Sequence, residues 1–369
     1  MHQFMKSLFV AATGQNVGKT TVCLGLVAGL AQRGHNVGYL KPVGQEQVVT
    51  ADGTHVDKDA GLFRAHFHLS DGEEQMSPVL LPKGFTRDYL DGKIKREKLV
   101  ADIDRSFTAL AKHHSLLVIE GTGHTGVGSI VELNNAQVAK HLNAPVILVA
   151  SGGLGSSFDE LELNRVQCEK YGVSVLGVIL NRVLEDKRDM IVKYMTKALA
   201  RWNLPLLGAI PYDAFLSIPS MADFEQLFDA KVIAGNEHKL RHFDQIRLIS
   251  TPADLPSHPK QLLIIPANRD DLIMAVLHRF WALQLSHPDE QLELGLILTG
   301  KTAPVQGVVS ELKKAPIPTL YTPVSSFVAL KMLNTYTSKI RPEDLAKIEE
   351  AVKVVTSCVN FELLEQRLK

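Results

Sequence analysis

The feature that most constrains this chain is a strand, a polar loop and a helix that follow one another between residues 7 and 30. The apolar run 8–12 is long enough for one buried parallel strand. The loop 13–18 carries two glycines, and apolar side chains recur at helical spacing after Lys19. Backbone N–H groups of such a loop and the positive end of the following helix converge on one anion. The stretch therefore predicts a phosphate-binding loop.

The polar residues of this loop have distinct predicted roles. Lys19 is placed to reach the β- and γ-phosphates of a nucleotide, and the Thr20 hydroxyl is placed to bind Mg²⁺. Thr13 stands where the strict G-x-x-x-x-G-K-T pattern has its first glycine. A chance glycine turn is the alternative, but the preceding strand and the following helix favour a phosphate loop. The predicted nucleotide-binding residues are Thr13, Gly14, Gln15, Asn16, Val17, Gly18, Lys19, Thr20 and Thr21.

Length and composition set the broad class. A chain of 369 residues exceeds the usual size of one core, so two domains are expected. The formal net charge of +0 gives no basis for a nucleic-acid partner. No segment approaches the roughly 20 apolar residues of a membrane span, and the N-terminal apolar segment is too short for a signal peptide. Three widely spaced cysteines fit a reducing compartment. We therefore expect a cytoplasmic protein without a membrane partner.

Two more polar residues follow predicted strands. Lys41 comes directly after residues 37–40, and Glu120 ends the apolar run 116–120. Ligands of open α/β sheets bind at the carboxyl ends of the strands. Lys41 is therefore a candidate second cation over a phosphate or carboxylate, with a solvated strand-end lysine as the alternative. Glu120 is a candidate to hold magnesium or a water molecule, with a chance strand-end acid as the alternative.

Other polar groups give weaker signals. Asp57 and Asp59 begin a helical pattern, where acidic residues are also common as partners of the helix dipole. The turn-rich residues 72–95 predict a long loop or lid over the site. Four histidines lack the spacing of a known metal set with acidic or thiol partners, so no metal site is predicted from them; they are His66, His68, His113 and His114.

Strands alternate with helices from residue 7 to about 211. This pattern predicts an α/β fold with a mostly parallel sheet and helices on both faces. The pattern weakens at residues 215–235, where we place a linker, and a second α/β unit follows. A final helix is predicted to begin at Pro342, since proline is favourable at a first helical position. The predicted domains are residues 1–225 and 226–369.

Seven motifs occur in one order along the chain: ATGQNVGKTT, GYLKPVG, VDKDAGLF, VIEGTGHTGVGS, ILVASGGLGSS, GVILNRV and GAIPYD. Together they resemble the dethiobiotin synthetase and cobyrinic acid amide synthetase group of P-loop proteins, most closely the N-terminal region of long bacterial phosphotransacetylases. The stretches LLIIPANRDDLI and GLILTGK resemble the DRTGG domain that follows this region in the same enzymes. The resemblance covers essentially the whole chain.

The resemblance implies a P-loop NTPase-like domain, then a smaller α/β DRTGG-like domain, with ATP and Mg²⁺ as cofactors. It implies that Thr20, Asp59 and Glu120 hold the metal. It also implies that Lys41 acts with Lys19 in catalysis, meeting a carboxylate or carbamate substrate and the transferred phosphate. The position of Asn181 matches the residue that reads adenine, and Pro211 is expected nearby.

Two functions remain open at this point. In the first, the protein binds Mg-ATP, hydrolyses it slowly and regulates metabolism. In the second, ATP phosphorylates a carboxylate or carbamate metabolite held by Lys41. The intact Lys19, Thr20 and Glu120 favour nucleotide chemistry, while the lack of a recognisable organic-substrate pocket favours regulation. The resemblance stops before the acyltransferase domain of phosphotransacetylases, so acetyl transfer is not expected of this chain by itself. We expect a homo-oligomer formed through the second domain.

Overall fold

A computed structural model describes residues 5–50, 53–251, 260–286 and 292–369. The chain divides into two compact units. The first unit is Met1–Asp213 together with Ile340–Lys369, and the second is Ala214–Lys339. In the described part of the chain, no helix combines the length and the apolar character that a membrane crossing requires.

The first unit contains the strands β1 (Lys6–Ala12), β2 (Val37–Leu40), β3 (Val43–Gly44), β4 (Gln47–Val49), β5 (His55–Asp57), β6 (Val79–Leu80), β7 (Leu116–His124), β8 (Val146–Ser151), β9 (Val175–Val183) and β10 (Leu206–Pro211). Its α-helices are α1 (Lys19–Gln32), α2 (Lys58–Phe67), α3 (Glu73–Met76), α4 (Phe85–Leu90), α5 (Arg96–Leu110), α6 (Asn135–His141), α7 (Gly155–Lys170), α8 (Arg188–Ala200), α14 (Leu345–Cys358) and α15 (Phe361–Arg367).

Six of these strands form one sheet in the order β10-β9-β8-β1-β7-β2, and every pairing in it is parallel. The strand β1 lies in the middle, and its residues from Leu8 to Ala12 are fully buried. Crossovers run from β1 outward to β2 and then reverse towards β10. Because such crossovers are right-handed, the reversal places helices on both faces of the sheet. The predicted mostly parallel α/β architecture is confirmed.

The second unit contains β11 (Val232–Ala234), β12 (Gln245–Leu248), β13 (Lys260–Pro266), β14 (Glu293–Thr299) and β15 (Thr319–Thr322), with α9 (Ala214–Ser217), α10 (Met221–Phe228), α11 (Asp270–Ser286), α12 (Gln306–Leu312) and α13 (Ser326–Thr335). Its sheet has the order β11-β15-β14-β13-β12, and β11 alone among these described strands is antiparallel to its neighbour. Alternate residues of β13 enter two cores: Leu263 and Ile265 face α11 and α12, and Leu262 and Ile264 pack with α10 and α13. This unit is therefore also a three-layer α/β structure.

The structure differs from three local predictions. Residues 72–95 contain α3, β6 and α4 rather than one long loop. Residues 215–235 contain α10, whose Met221 and Phe224 are buried in a core of the second unit. Residues 340–369 belong to the first unit, not to the second domain as the predicted boundaries had it. The reason is packing: Val355 of α14 and Phe361 of α15 lie against the glycine face of α1.

Candidate functional site

The predicted phosphate loop, residues 13–18, connects β1 to α1 at the carboxyl edge of the six-stranded sheet. Gly18 adopts φ 101 as the N-cap of α1, a left-handed conformation that favours glycine. The first N–H groups of α1 have no partner within the helix. The ammonium of Lys19 is buried at this end and donates to the Gly123 carbonyl at 2.7 Å. The loop therefore has the backbone form of an anion cradle, with one buried cation beside it.

Asn181 holds this loop from the neighbouring strand β9. Its side-chain N–H donates to the Val17 carbonyl at 2.8 Å, and its side-chain oxygen accepts from the Arg182 N–H at 3.0 Å. A Cβ at Gly18 would lie 2.2 Å from the Asn181 amide nitrogen. The glycine is thus needed both for its φ angle and for the close approach of Asn181.

Thr13, which stands where the strict pattern has its first glycine, is hydrogen-bonded to two other elements. Its backbone N–H donates to the Val149 carbonyl at 2.9 Å, and its hydroxyl donates to the Glu160 carboxylate at 3.0 Å. Asn164, one turn further along α7, donates to the Thr13 carbonyl at 3.4 Å and accepts from the Thr125 N–H at 3.0 Å. Sequence analysis missed Glu160 and Asn164, because nothing local to α7 indicates contact with the loop.

A second feature is a lysine–carboxylate cluster formed by Lys41, Asp59 and Glu120. The Lys41 ammonium lies 2.6 Å from Asp59 Oδ2 and 2.8 Å from Glu120 Oε1. Lys41 and Glu120 are only 6% and 1% exposed, so solvent hardly screens these charges. The Thr20 hydroxyl donates to the same Glu120 Oε1 at 3.0 Å. The cluster therefore lies directly beside the phosphate loop.

Neighbouring elements fix the two carboxylates of this cluster. The Tyr39 hydroxyl donates to Glu120 Oε2 at 3.0 Å, and its ring stacks on Phe63 with centroids 3.7 Å apart. Asp57 caps α2 by accepting from the Asp59 N–H at 3.0 Å, which sets the first turn of the helix. Sequence analysis missed Tyr39, although its position two residues before Lys41 placed it on the same strand end.

The charged groups of the cluster shift one another's pKa values. Burial lowers the pKa of Lys19. Burial also opposes the charge on Lys41, but the carboxylates of Asp59 and Glu120 outweigh it and hold the pKa of Lys41 well above its usual range. Burial opposes ionisation of Asp59 as well, yet Lys41 and Lys58 lower its pKa overall. Lys41 and Asp59 therefore form an ion pair at neutral pH.

Two groups beside the cluster hold their protons more firmly than usual. Burial is the main cause that raises the pKa of Asp57 to about 6. Burial and then the charge of Glu120 raise the pKa of Tyr39 well above its usual value. The Tyr39 phenol therefore remains a hydrogen-bond donor to Glu120.

The donor set fits a magnesium ion that is shared with a nucleotide. Two oxygens bound side by side to octahedral Mg²⁺ at 2.0–2.1 Å lie about 2.9 Å apart. The Thr20 and Glu120 oxygens are 3.0 Å apart. Magnesium is usually held by one or two carboxylates plus substrate phosphates, rather than by a full protein cage. The described residues contain no group of three or more His, Cys, Asp and Glu arranged for a metal.

The remaining predicted nucleotide-binding residues differ in how exposed they are. Gln15 and Asn16 are exposed at the tip of the loop, while Gly14 and Thr21 are partly buried. Pro211 ends β10 beside Val183 of β9, on the strand that carries Asn181. Of the four histidines considered above, His114 pairs with Asp71 at 2.6 Å.

A parallel sheet with a phosphate-type loop after its central strand defines a P-loop NTPase-like protein. A family model described as an AAA domain matches residues 6–220, and one described as a DRTGG domain matches residues 225–336. The chain therefore belongs to this AAA-domain family, as a dethiobiotin synthetase-like P-loop region followed by a DRTGG domain. The resemblance seen in the sequence is confirmed.

Curated relatives agree with this assignment. A phosphate acetyltransferase of Nitrosomonas europaea is 27% identical over 379 residues, covering 98% of this chain and 52% of the relative. One from Pseudomonas putida is 28% identical over 384 residues with the same coverage. The chain thus spans about half the length of these relatives. An ATP-dependent dethiobiotin synthetase of Methanococcus vannielii is 26% identical over 205 residues, covering 55% of this chain and 92% of that protein.

Among solved structures, a plasmid partition protein from Borrelia burgdorferi bound to AMPPNP is 15% identical and covers 57% of this chain and 89% of that chain. Its TM-score is 0.37, a likeness too weak to bear on function.

Proposed function

We propose that this protein binds Mg-ATP at residues 13–21 and hydrolyses it slowly in a regulatory role. The observation that carries the proposal is the meeting of Thr20 and Glu120 at 3.0 Å beside a glycine loop at the N-terminus of α1. A hydroxyl and a carboxylate at this spacing suit one magnesium ion, and the loop suits the phosphates. Family membership and the dethiobiotin synthetase relative support the same assignment.

In this proposal each side chain acts mainly through charge and position. Lys19 exchanges the Gly123 carbonyl for the β- and γ-phosphates, and its burial strengthens that contact. Thr20, Asp59 and Glu120 hold magnesium, which neutralises charge on the phosphates when it is bound. Tyr39 keeps Glu120 in one orientation. Asn181 and Pro211 lie on the sheet edge where the nucleotide base is proposed to bind.

Glu120→Gln tests the proposed metal role. The substitution keeps the shape of the side chain and removes its charge, so nucleotide binding should persist while Mg²⁺-dependent phosphate release falls by roughly 100-fold. Glu185→Gln, at an exposed position of the same unit, is the control and should release phosphate like the wild type. The measurement is steady-state phosphate release with calorimetry for ATP affinity. Hydrolysis by Glu120→Gln within about twofold of wild type would remove Glu120 from the metal site.

A second candidate function is ATP-dependent activation of a carboxylate or carbamate metabolite. It is favoured by Lys41, a buried cation beside the phosphate loop, and by the synthetase relative. The regulatory proposal is favoured because the two carboxylates paired with Lys41 are the ones proposed to hold magnesium, which assigns Lys41 to the metal and phosphate site rather than to an organic substrate. The two functions differ in one measurement. A synthetase should release phosphate quickly only when its metabolite is added, whereas a slow ATPase should show the same rate across a panel of carboxylates.

A further inference from the structure

Both carboxylates proposed to hold magnesium are hydrogen-bonded to a buried lysine. The Lys41 ammonium contacts Asp59 Oδ2 at 2.6 Å and Glu120 Oε1 at 2.8 Å. The second of these oxygens is also the one that accepts from Thr20. Tyr39 occupies the other Glu120 oxygen. A divalent cation that binds through Asp59 Oδ2 and Glu120 Oε1 would therefore compete with Lys41 for both oxygens.

The charge balance of the cluster shows when this exchange is favourable. Lys41 with Asp59 and Glu120 carries a net charge of minus one, and burial leaves little solvent screening. A dication added alone would turn the balance positive and leave a buried ammonium beside it, while Lys19 and Lys41 already repel each other. A nucleotide brings phosphate charge that offers Lys41 a new partner. Metal and nucleotide together therefore remove a penalty that metal alone would incur.

We infer that Lys41 is an internal counter-ion that competes with Mg²⁺ for Asp59 and Glu120, so that the metal enters with the nucleotide rather than before it. This inference rests on the proposed Mg-ATP site and adds an order of binding to it. The competing cation belongs to the protein itself, and its release towards the phosphates accompanies metal binding.

Lys41→Met tests the inference because it keeps an unbranched stem of the same length as the lysine methylenes and removes the ammonium. Mn²⁺ serves as the probe, since it shares the oxygen-rich octahedral preference of Mg²⁺. Without nucleotide, Lys41→Met should bind Mn²⁺ about tenfold or more tightly than wild type, measured by calorimetry or by loss of the free-ion paramagnetic resonance signal. Lys41→Arg keeps the positive charge and should show no gain.

Lys58→Met is the matched control for a general loss of positive charge. Lys58 influences Asp59 through space but pairs with Glu46 at 2.7 Å, so its removal should change Mn²⁺ affinity by less than about threefold. Equal Mn²⁺ affinity in wild type and Lys41→Met would overturn the inference. An equal gain in Lys58→Met would overturn it too, because the effect would then be general electrostatics.

Lys41→Met leaves two buried carboxylates without their shared partner and is expected to lose stability. Thermal unfolding covers that case: Mn²⁺ should raise the melting temperature of Lys41→Met more than that of wild type, and equal shifts contradict the inference. A parallel Mg-ATP titration of the wild type separates the two proposals. Failure to bind Mg-ATP overturns the proposed function, while the metal titrations without nucleotide decide the role of Lys41.

Discussion

Asn181 shows at the scale of one residue how a side chain supports a loop. The family resemblance implies that it reads adenine, and the structure shows it bonded to the Val17 carbonyl at 2.8 Å. Its amide oxygen is also engaged, by the Arg182 N–H. Asn181 is buried, so losing its hydrogen bond would leave a buried polar group of the loop without a partner and destabilise the loop. A role in the shape of the loop is therefore expected whether or not the side chain also meets the base.

Asn181→Ala should lower the affinity for ATP and for GTP together, by about tenfold, because the buried Val17 carbonyl loses its donor. Titration of both nucleotides into wild type and variant is the measurement. The ratio of the ATP affinity to the GTP affinity distinguishes support of the loop from contact with the adenine ring. If only ATP binding weakens, Asn181 contacts the adenine ring and its support of the loop is of minor consequence.

Residues of the candidate site differ in how far sequence could predict them. Lys19 and Thr20 lie within one local motif, and Lys41 and Glu120 follow apolar strands that end at the same sheet edge. Glu160 contacts Thr13 across a sequence separation of 147 residues. Such contacts depend on the strand order of the whole sheet, which periodicity along the chain does not contain.

At the scale of an element, two glycines of α1 allow the helices α14 and α15 to pack closely against it. A Cβ at Gly25 would lie 2.2 Å from Val355 Cβ, and a Cβ at Gly29 would lie 2.1 Å from the tip of the Phe361 ring. Both partners are buried. Glycine usually weakens a helix, so these two glycines are explained by the helices α14 and α15 that lie against them.

Gly29→Ala should destabilise the protein by roughly 1–3 kcal/mol, because overpacking outweighs the better helix propensity of alanine. Chemical denaturation provides the measurement. Gly61→Ala in α2 is a matched control, since its nearest atom would be 3.6 Å away, and it should be neutral or stabilising. In a Phe361→Ala background the penalty at Gly29 should disappear. A penalty that persists there would place its cause outside this contact.

Elements with one clear pattern were predicted well, and short amphipathic ones were not. The strands predicted at residues 8–12 and 37–40 lie close to the observed bounds of β1 and β2. The helix α10 has eight residues in a region with proline and glycine punctuation, so its sequence pattern was read as a linker. The buried face of α10 becomes recognisable only against the second sheet, where Met221 and Phe224 pack.

At the scale of the whole molecule, the second unit is Ala214–Lys339 and is inserted in sequence within the first. Residues 214–339 should therefore fold alone, because they contain both described cores of that unit. Residues 235–369 should not, since they lack α10 and carry α14 without α1. The measurement is circular dichroism and chemical denaturation of each fragment. Cooperative unfolding of 235–369 but not of 214–339 would contradict this division. Self-association of 214–339, measured by light scattering, remains our prediction for the oligomer.

The return of residues 340–369 to the first unit has a consequence for synthesis on the ribosome. The P-loop, β1 and α1 emerge early, but α14 and α15, which cover the glycine face of α1, are translated only after the entire second unit. About 310 residues separate the end of α1 from the start of α14, so at roughly 5–20 residues per second this delay is on the order of tens of seconds. For that time the nascent chain presents an incomplete apolar helix surface. The inserted second unit therefore lengthens the interval in which the glycine face of α1 stays uncovered on the nascent chain.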